Sequence, residues 1–298
     1  MHVNYVTVAG PHTASYRMRI DIPRKILDES DDEITTTVSD KCNENADVNV
    51  FSKHWNQEYN LAAMKATTTE TVFDVVDDHF DRRMGDFYRE MIGLADKVTC
   101  NTAAMQTRIY DETGRLATII PDPVSFPKRE FVHRADPKFL WFGSLVNVNS
   151  LYPILGRLPN LTVVINAELM VGPNNPHVKT IVWKPGLVEE IIGQYDVVVL
   201  PKNEEPWALT KSPNRAVDAL QAGRYVTTDF REVYGELADF IFVGDDYLEK
   251  GVDLYVKDPY TCKQMVESGQ RHIAEHFSPE SVASKWATLF KQFNPENT

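Results

Sequence analysis

Cysteine is scarce in this chain: three residues in 298, Cys42, Cys100 and Cys262, odd in number and far apart. That excludes a disulfide framework, and with no CxxC or Cys/His spacing there is no zinc pattern, so the three read as reduced core residues. Long apolar runs are missing as well. None approaches the roughly 18 residues that a membrane span needs, and the opening MHVNYVTVAGPH has no basic-then-apolar signal layout. A cytoplasmic location is therefore expected. Positive charge is in deficit, with 31 Lys and Arg against 43 Asp and Glu and a net charge of -12. A protein that coats nucleic acid nonspecifically draws its affinity from many basic side chains, so that class is disfavoured. The short basic clusters at 23–25, 81–84 and 127–130 read as solvated surface. Two further absences matter: no GxGxxG fingerprint for a dinucleotide, and no internal repeat.

What is present is an alternation. Runs rich in Val and Ile are followed by stretches of helical period along the whole length, the pattern of parallel α/β architecture. The first half offers strands at 3–10, 46–51, 71–77, 96–101 and 116–122; the second at 138–144, 161–167, 178–183, 195–201, 224–229 and 240–245. Runs such as DVVVL are apolar on both faces, as strands covered from both sides must be, so two doubly wound sheets in tandem is the economical reading. A helix is expected over 15–29, with Pro23 kinking it or delaying its start. Between 121 and 138 the period fails and four prolines gather, which places a boundary there. The domains are read as 1–130, 131–277 and a closing helix at 278–298. The tail from Pro259 to Asn294 is mostly helical, with a Ser278-Pro279 start.

In open parallel sheets, ligands bind beyond the carboxyl ends of the strands. After the first strand lies AGPHTASYRMR, whose Gly10 and small residues admit a ligand near Arg17 and Arg19. After 71–77 comes a polar cluster, Asp77, Asp78, His79 and Asp81. It suits acid-base work or a metal, or else an acidic helix start; no partner at metal spacing backs the metal. Gly143 and Ser144 follow the first strand of the second half, ahead of a helix capped by Asn149 or Ser150, and offer a phosphate contact. Trp183, before the Pro185-Gly186 turn, offers a flat face for a base.

The segment TKSPNRAVDALQAG, 210–223, has the clearest ends: Ser212 reads as N-cap, Pro213 as the first helical residue and Gly223 as the stop. Its first turn, with Lys211 beside it, is a recipe for holding a phosphate. Asp218 sits on the same helix one turn after Asn214 and suits a ribose diol.

Together FLWFGSLVNVNSL, VWKPGLVEEIIGQYDVVVLP, KSPNRAVDALQAGRYVTT, YRMRIDIPRKI, VFDVVDDHF and LADKVTCNTAAMQTRIYDETGRLATIIPDPV resemble a glycosyltransferase of the two-Rossmann-domain (GT-B) type, similar to family four. The resemblance implies an α/β fold of two tandem Rossmann-like doubly wound parallel sheets with an interdomain cleft and C-terminal helices packing back on the first domain. It implies a nucleotide-diphosphate sugar held by Gly143, Ser144, Lys211, Ser212 and Asn214 at the diphosphate, by Trp183 and Lys184 at the base and by Asp218 at the ribose. The family's paired glutamates fall on Thr210 and Asp218, a departure at both; the candidates for holding the donor sugar are Thr210 and, as substitutes from the preceding loop, Glu204 and Glu205. Asp77, His79 and Lys211 are the catalytic candidates, and His12, Arg17 and Arg19 lie on the acceptor side. The implied reaction is sugar transfer to an acceptor hydroxyl, retaining, with no metal or other cofactor. The acceptor is a glycan, a small molecule or a hydroxymethylated DNA base of phage type. The alternative is a non-catalytic nucleotide-sugar-binding module.

Overall fold

The computed structural model describes residues 1–30, 33–166 and 178–293. The chain forms two compact units, the first of Met1–Pro123, Leu209–Ser212 and His276–Thr298, the second of Val124–Ala208 and Pro213–Glu275.

The first unit is built on a six-stranded sheet, β1 (His2–Val6), β2 (Thr35–Ser39), β3 (Val48–Ser52), β4 (Glu70–Val75), β5 (Lys97–Cys100) and β6 (Thr118–Ile119). The strand order is β2-β1-β3-β4-β5-β6, and every pairing is parallel. All five residues of β3 are buried, as a strand covered on both faces requires. Sequence periodicity points to every strand but β2. TTTVS has a single aliphatic residue, and its place at the sheet edge leaves it partly exposed, so it carries no apolar signal.

Helices α1 (Ala14–Tyr16), α2 (Ile22–Ser30), α3 (Gln57–Ala66), α4 (Gly85–Leu94) and α5 (Ala103–Thr113) connect these strands. The helix expected over 15–29 is present as one continuous helical run, α1, a π-helical stretch Arg17–Asp21 and α2. Pro23 lies directly after the π-helical stretch, inside the helical run, so the wider turn stands where a residue without an N–H interrupts the regular bonding. The closing helix α10 (Pro279–Lys291) belongs to this unit and starts as expected, Ser278 accepting from Ser281 N. It brings Val282, Trp286, Leu289 and Phe290 into a core with Tyr5, Ile20, Leu27, Val48 and Val50. Asn294 lies outside the described residues.

The second unit holds β7 (Phe139–Gly143), β8 (Leu161–Ile165), β9 (Val178–Val182), β10 (Val197–Val199), β11 (Tyr225–Thr228) and β12 (Phe242–Val243), ordered β12-β11-β10-β7-β8-β9. All pairings are parallel, and this is the Rossmann order. Ala167, the expected last residue of β8, lies outside the described residues. Helices α6 (Leu187–Ile191), α7 (Asn214–Gln221), α8 (Lys250–Lys257) and α9 (Pro259–His276) follow.

Two local expectations are corrected. No α-helix starts at Asn149 or Ser150; the β7–β8 connection is made of 3-10 helices, Leu145–Ser150 and Tyr152–Ile154. Nor is Pro213 the first helical residue of α7: it is the N-cap, and the helix starts one position later, at Asn214. The stop at Gly223 is as expected: its φ is 74°. The proline-rich stretch is no loose linker, since residues from Val124 on are bound into the second unit. Arg129 N donates to Gln221 O (2.9 Å), and Gln270 Nε2 donates to Arg129 O (2.8 Å).

Candidate functional site

A parallel sheet opens a crevice where the strand order reverses, beyond the carboxyl ends of the two strands that flank the reversal. In the first unit those strands are β1 and β3; in the second, β7 and β10.

Beyond β3 stands Lys53. It is a non-glycine residue in the left-handed region (φ 53°), a conformation that costs energy and that surrounding contacts must hold. Its ammonium pairs with Asp77, and Lys211 Nζ reaches the other oxygen of the same carboxylate at 2.5 Å. Two cations on one carboxylate make a compact, net-positive cluster. Burial, and next the charge of Lys211, lower the Lys53 pKa from 10.5 to about 8. Lys211 is positioned by its neighbour, whose carbonyl, Thr210 O, accepts from Thr102 Oγ1 at 2.9 Å. His79 lies in the same field. Burial first, then Lys53, Arg82 and Lys211, push it from 6.5 to about 4, so it is neutral at pH 7, with its ring edge-on to Tyr88 at 5.3 Å. The other carboxylates of the sequence cluster separate from this group: Asp78 and Asp81 both face Arg108, at 3.4 and 2.7 Å.

Below the cluster the sheet carries a buried ionic network, and Arg19 is at its centre. The acceptor-side expectation for Arg19 is corrected here. The residue is 1% exposed, and its guanidinium is engaged by Asp74 (2.6 and 3.1 Å), Asp122 (3.2 Å) and the carbonyl of Ile120. Asp74 also accepts from Ser52 Oγ and Thr99 Oγ1, both at 2.8 Å. A buried charge is tolerated only with such partners, so Arg19 ties the end of β4 to the segment after β6. The π-helical turn is what tips it inward, next to Met18 and Ile20. His12 is exposed on the turn after β1, and Arg17 is half-buried.

In the second unit the crevice beside β7 is lined by Gly143 and Arg215. A side chain at Gly143 would come within 2.9 Å of the buried Trp141 ring and 3.4 Å of Arg215 Nη1, so glycine keeps that backbone open. Arg215, in the first turn of α7, lies 5.8 Å from the Trp141 ring centroid and 3.4 Å from Phe142 O. Among the described residues it has no carboxylate partner, and burial holds its pKa below the ordinary arginine value, Tyr234 opposing. A desolvated guanidinium beside open backbone is a place for an anion.

The remaining candidates are distributed as follows. Ser144 begins the 3-10 helix after β7, and Leu145 N donates to Asn166 Oδ1 at 2.8 Å. Asn214 opens α7, whereas Lys211 and Ser212 belong to the first unit. Trp183 and Lys184 follow β9 ahead of Gly186, whose φ of 77° makes the expected turn. Asp218 is buried, and its carboxylate accepts from Ser125 N (3.0 Å) and Ser125 Oγ (3.2 Å), so it ties the proline-rich segment to α7. Glu204 pairs with Lys202 at 3.1 Å, and both Glu204 and Glu205 are exposed. Thr210 is buried.

Sequence reasoning missed Lys53, Asp74 and Arg215. For Lys53 the signal was available, because it follows a recognised strand. Asp74 sits inside β4, and Arg215 reads as one more helix-surface charge.

No protein-family profile matches the sequence, and no curated protein matches it either. Solved structures do. The chain is similar to HepE of Anabaena, solved in complex with UDP-glucose, at 13% identity and a TM-score of 0.72, over 98% of this chain and 100% of that one. It is similar to a glycosyltransferase from Rickettsia africae (11% identity, TM-score 0.63, 98% of both chains). TarM of S. aureus matches 82% of this chain with 54% of its own length, at 12% identity and a TM-score of 0.63. The fold is thus GT-B: two Rossmann-like units of parallel sheet with helices around them.

Proposed function

We propose that the chain is a glycosyltransferase that takes its sugar from a nucleotide-diphosphate sugar, of which a UDP-sugar is the first candidate, and passes it to an acceptor hydroxyl. Arg215 carries this reading: a half-buried cation with no carboxylate partner among the described residues, set against open backbone at the crevice of a Rossmann-ordered sheet. Fold alone hosts many activities, so the site has to bear the argument. Breaking the bond between sugar and diphosphate leaves negative charge on the leaving group, and a preorganised cation in a poorly hydrated place is worth most there. Arg215 supplies that charge, assisted by Asn214, Gly143 and Ser144. The UDP-glucose in HepE supports a uridine donor by likeness of fold.

On the first unit, the Lys53–Asp77–Lys211 cluster with neutral His79 is the acceptor side. Asp77, held between the two ammonium groups, accepts a hydrogen bond from the incoming hydroxyl. The reading includes transfer with retention and without a metal ion, as the resemblance implies.

A thermal-shift panel of UDP, GDP, ADP, CDP and TDP tests it, because a ligand bound by the native form alone raises the melting temperature. UDP should give the largest shift, and Arg215→Ala should lower UDP affinity by about 1.5–3 kcal/mol, the range for a hydrogen bond to a charged group, with the unliganded melting temperature kept. No shift with any nucleotide, or an unchanged shift in the variant, refutes the donor assignment. UDP binding with no release of UDP from UDP-glucose, with or without acceptors, would make the chain a binding module.

A further inference from the structure

Trp55 follows Lys53 by two residues, on the segment between β3 and α3, and its side chain is 50% exposed. Single exposed apolar residues are ordinary on protein surfaces. The company of this one is not. Its ring centroid lies 5.3 Å from Lys53 Nζ, the same ammonium that pairs with Asp77. Indole and carboxylate therefore stand about a single cation at the β1/β3 reversal. Trp55 also borders a small pocket shared with Lys53, His54, Asp74 and Tyr88. His54 is 8% exposed; its Nε2 meets Asp40 O at 3.1 Å, while Nδ1 is buried with no hydrogen-bond partner. A buried polar atom left unmet marks a position where something else completes the bond. The left-handed backbone of Lys53 is part of the same device, since it turns the chain just where Lys53, His54 and Trp55 leave the sheet.

A ligand for this surface needs an apolar face for the indole and a polar rim for the carboxylate, the ammonium and an imidazole nitrogen. Pyranose rings have that division: axial C–H bonds on a face, hydroxyls around the edge. The electron-rich face of indole attracts polarised C–H groups, and its rigid area costs little entropy to use. From this we propose that the acceptor is a pyranoside whose ring stacks on Trp55 with a hydroxyl directed to Asp77. The inference rests on the glycosyltransferase reading for the word acceptor, and on Trp55, Lys53, His54 and Asp77 for the ligand class. It disfavours a flexible polyol, which has no flat C–H face, as the acceptor.

The test is saturation-transfer NMR on the full chain with methyl α-D-glucopyranoside and methyl β-D-galactopyranoside, using glycerol and sorbitol as ring-free comparators. At least one pyranoside should take up saturation more strongly than either polyol. Trp55→Ala should weaken it by about tenfold, the worth of one aromatic stacking contact, and Trp55→Phe should restore most of it. The UDP-induced thermal shift, read on the same samples, should stay at the wild-type value in both variants. Pyranoside signals absent from the wild type, equal to those of the polyols, or unchanged in Trp55→Ala overturn the proposal. So does a loss of UDP binding in Trp55→Ala, which would make Trp55 a donor-side or folding residue. Failure of the donor reading shows separately, as a missing UDP shift in the wild type.

Discussion

At the scale of single residues, the first unit keeps apart two kinds of charge. Arg19, Asp74 and Asp122 are buried and mutually satisfied, whereas Lys53, Asp77 and Lys211 hold a net positive field near solvent. His79 records that field, and its response to pH can be worked out. The folded value is about 4 against 6.5, lowered by burial and then by Lys53, Arg82 and Lys211. As pH falls below 6.5 the unfolded chain gains a proton that the folded chain refuses, so stability drops across the window from 6.5 to about 4. Asn at this position cannot titrate. His79→Asn should therefore lose less stability than wild type between pH 7 and pH 5 in urea titrations. Between pH 6.5 and 5 the shift caps the difference at about 2 kcal/mol, and the half-open site lowers it. Parallel pH profiles of the two proteins would remove His79 from the acid response. At this same scale the sequence is least legible. Asp77, His79 and Lys211 are named by their setting, but Lys53 and Arg215 gain meaning only from what the fold places beside them. Asp74 lies 55 residues from the guanidinium that it satisfies.

At the scale of elements, local signals hold where the element obeys only local rules. Ser278-Pro279 caps α10 as its sequence says. Ser212-Pro213 has the same letters, yet there the proline is the N-cap and α7 starts one residue later, at Asn214. The end of α7 is set by both kinds of rule. Gly223 has a φ of 74°, and a Cβ there would stand 2.3 Å from Glu130 O and 2.6 Å from Arg129 O; Gly235 has a φ of 51° and open space within 4 Å. The two glycines separate strain from collision. Gly235→Ala should cost about 1–2 kcal/mol, the price of the left-handed region alone. Gly223→Ala carries the same strain and must also displace the backbone that anchors the proline-rich segment, so it should cost more, about 3 kcal/mol or above. Denaturant midpoints at constant m-value would check the order. Equal losses would mean that the 124–130 segment yields freely.

At the scale of the molecule, alternating apolar runs and helical stretches announce the two sheets, and of the twelve strands among the described residues only β2 is silent, for want of apolar residues on an exposed edge. Which pieces of chain build each unit is not written in that alternation. The first unit needs the last helix: Trp286 is fully buried, stacks on Phe290 at 5.5 Å, meets Tyr5 edge-on at 6.2 Å and lies 5.4 Å from the Arg19 guanidinium. A residue near the carboxyl terminus is thus part of the core around the first strand. Trp286→Ala should cost about 3–5 kcal/mol, as large-to-small changes of buried aromatics do. Because the damage falls on one unit, unfolding should cease to be a single transition, and a first step should appear at lower denaturant. Arg215 sits in the second unit, so nucleotide should still raise the midpoint of the later step. A variant that unfolds in one step with the nucleotide effect lost would mean that the two units fold as one cooperative body.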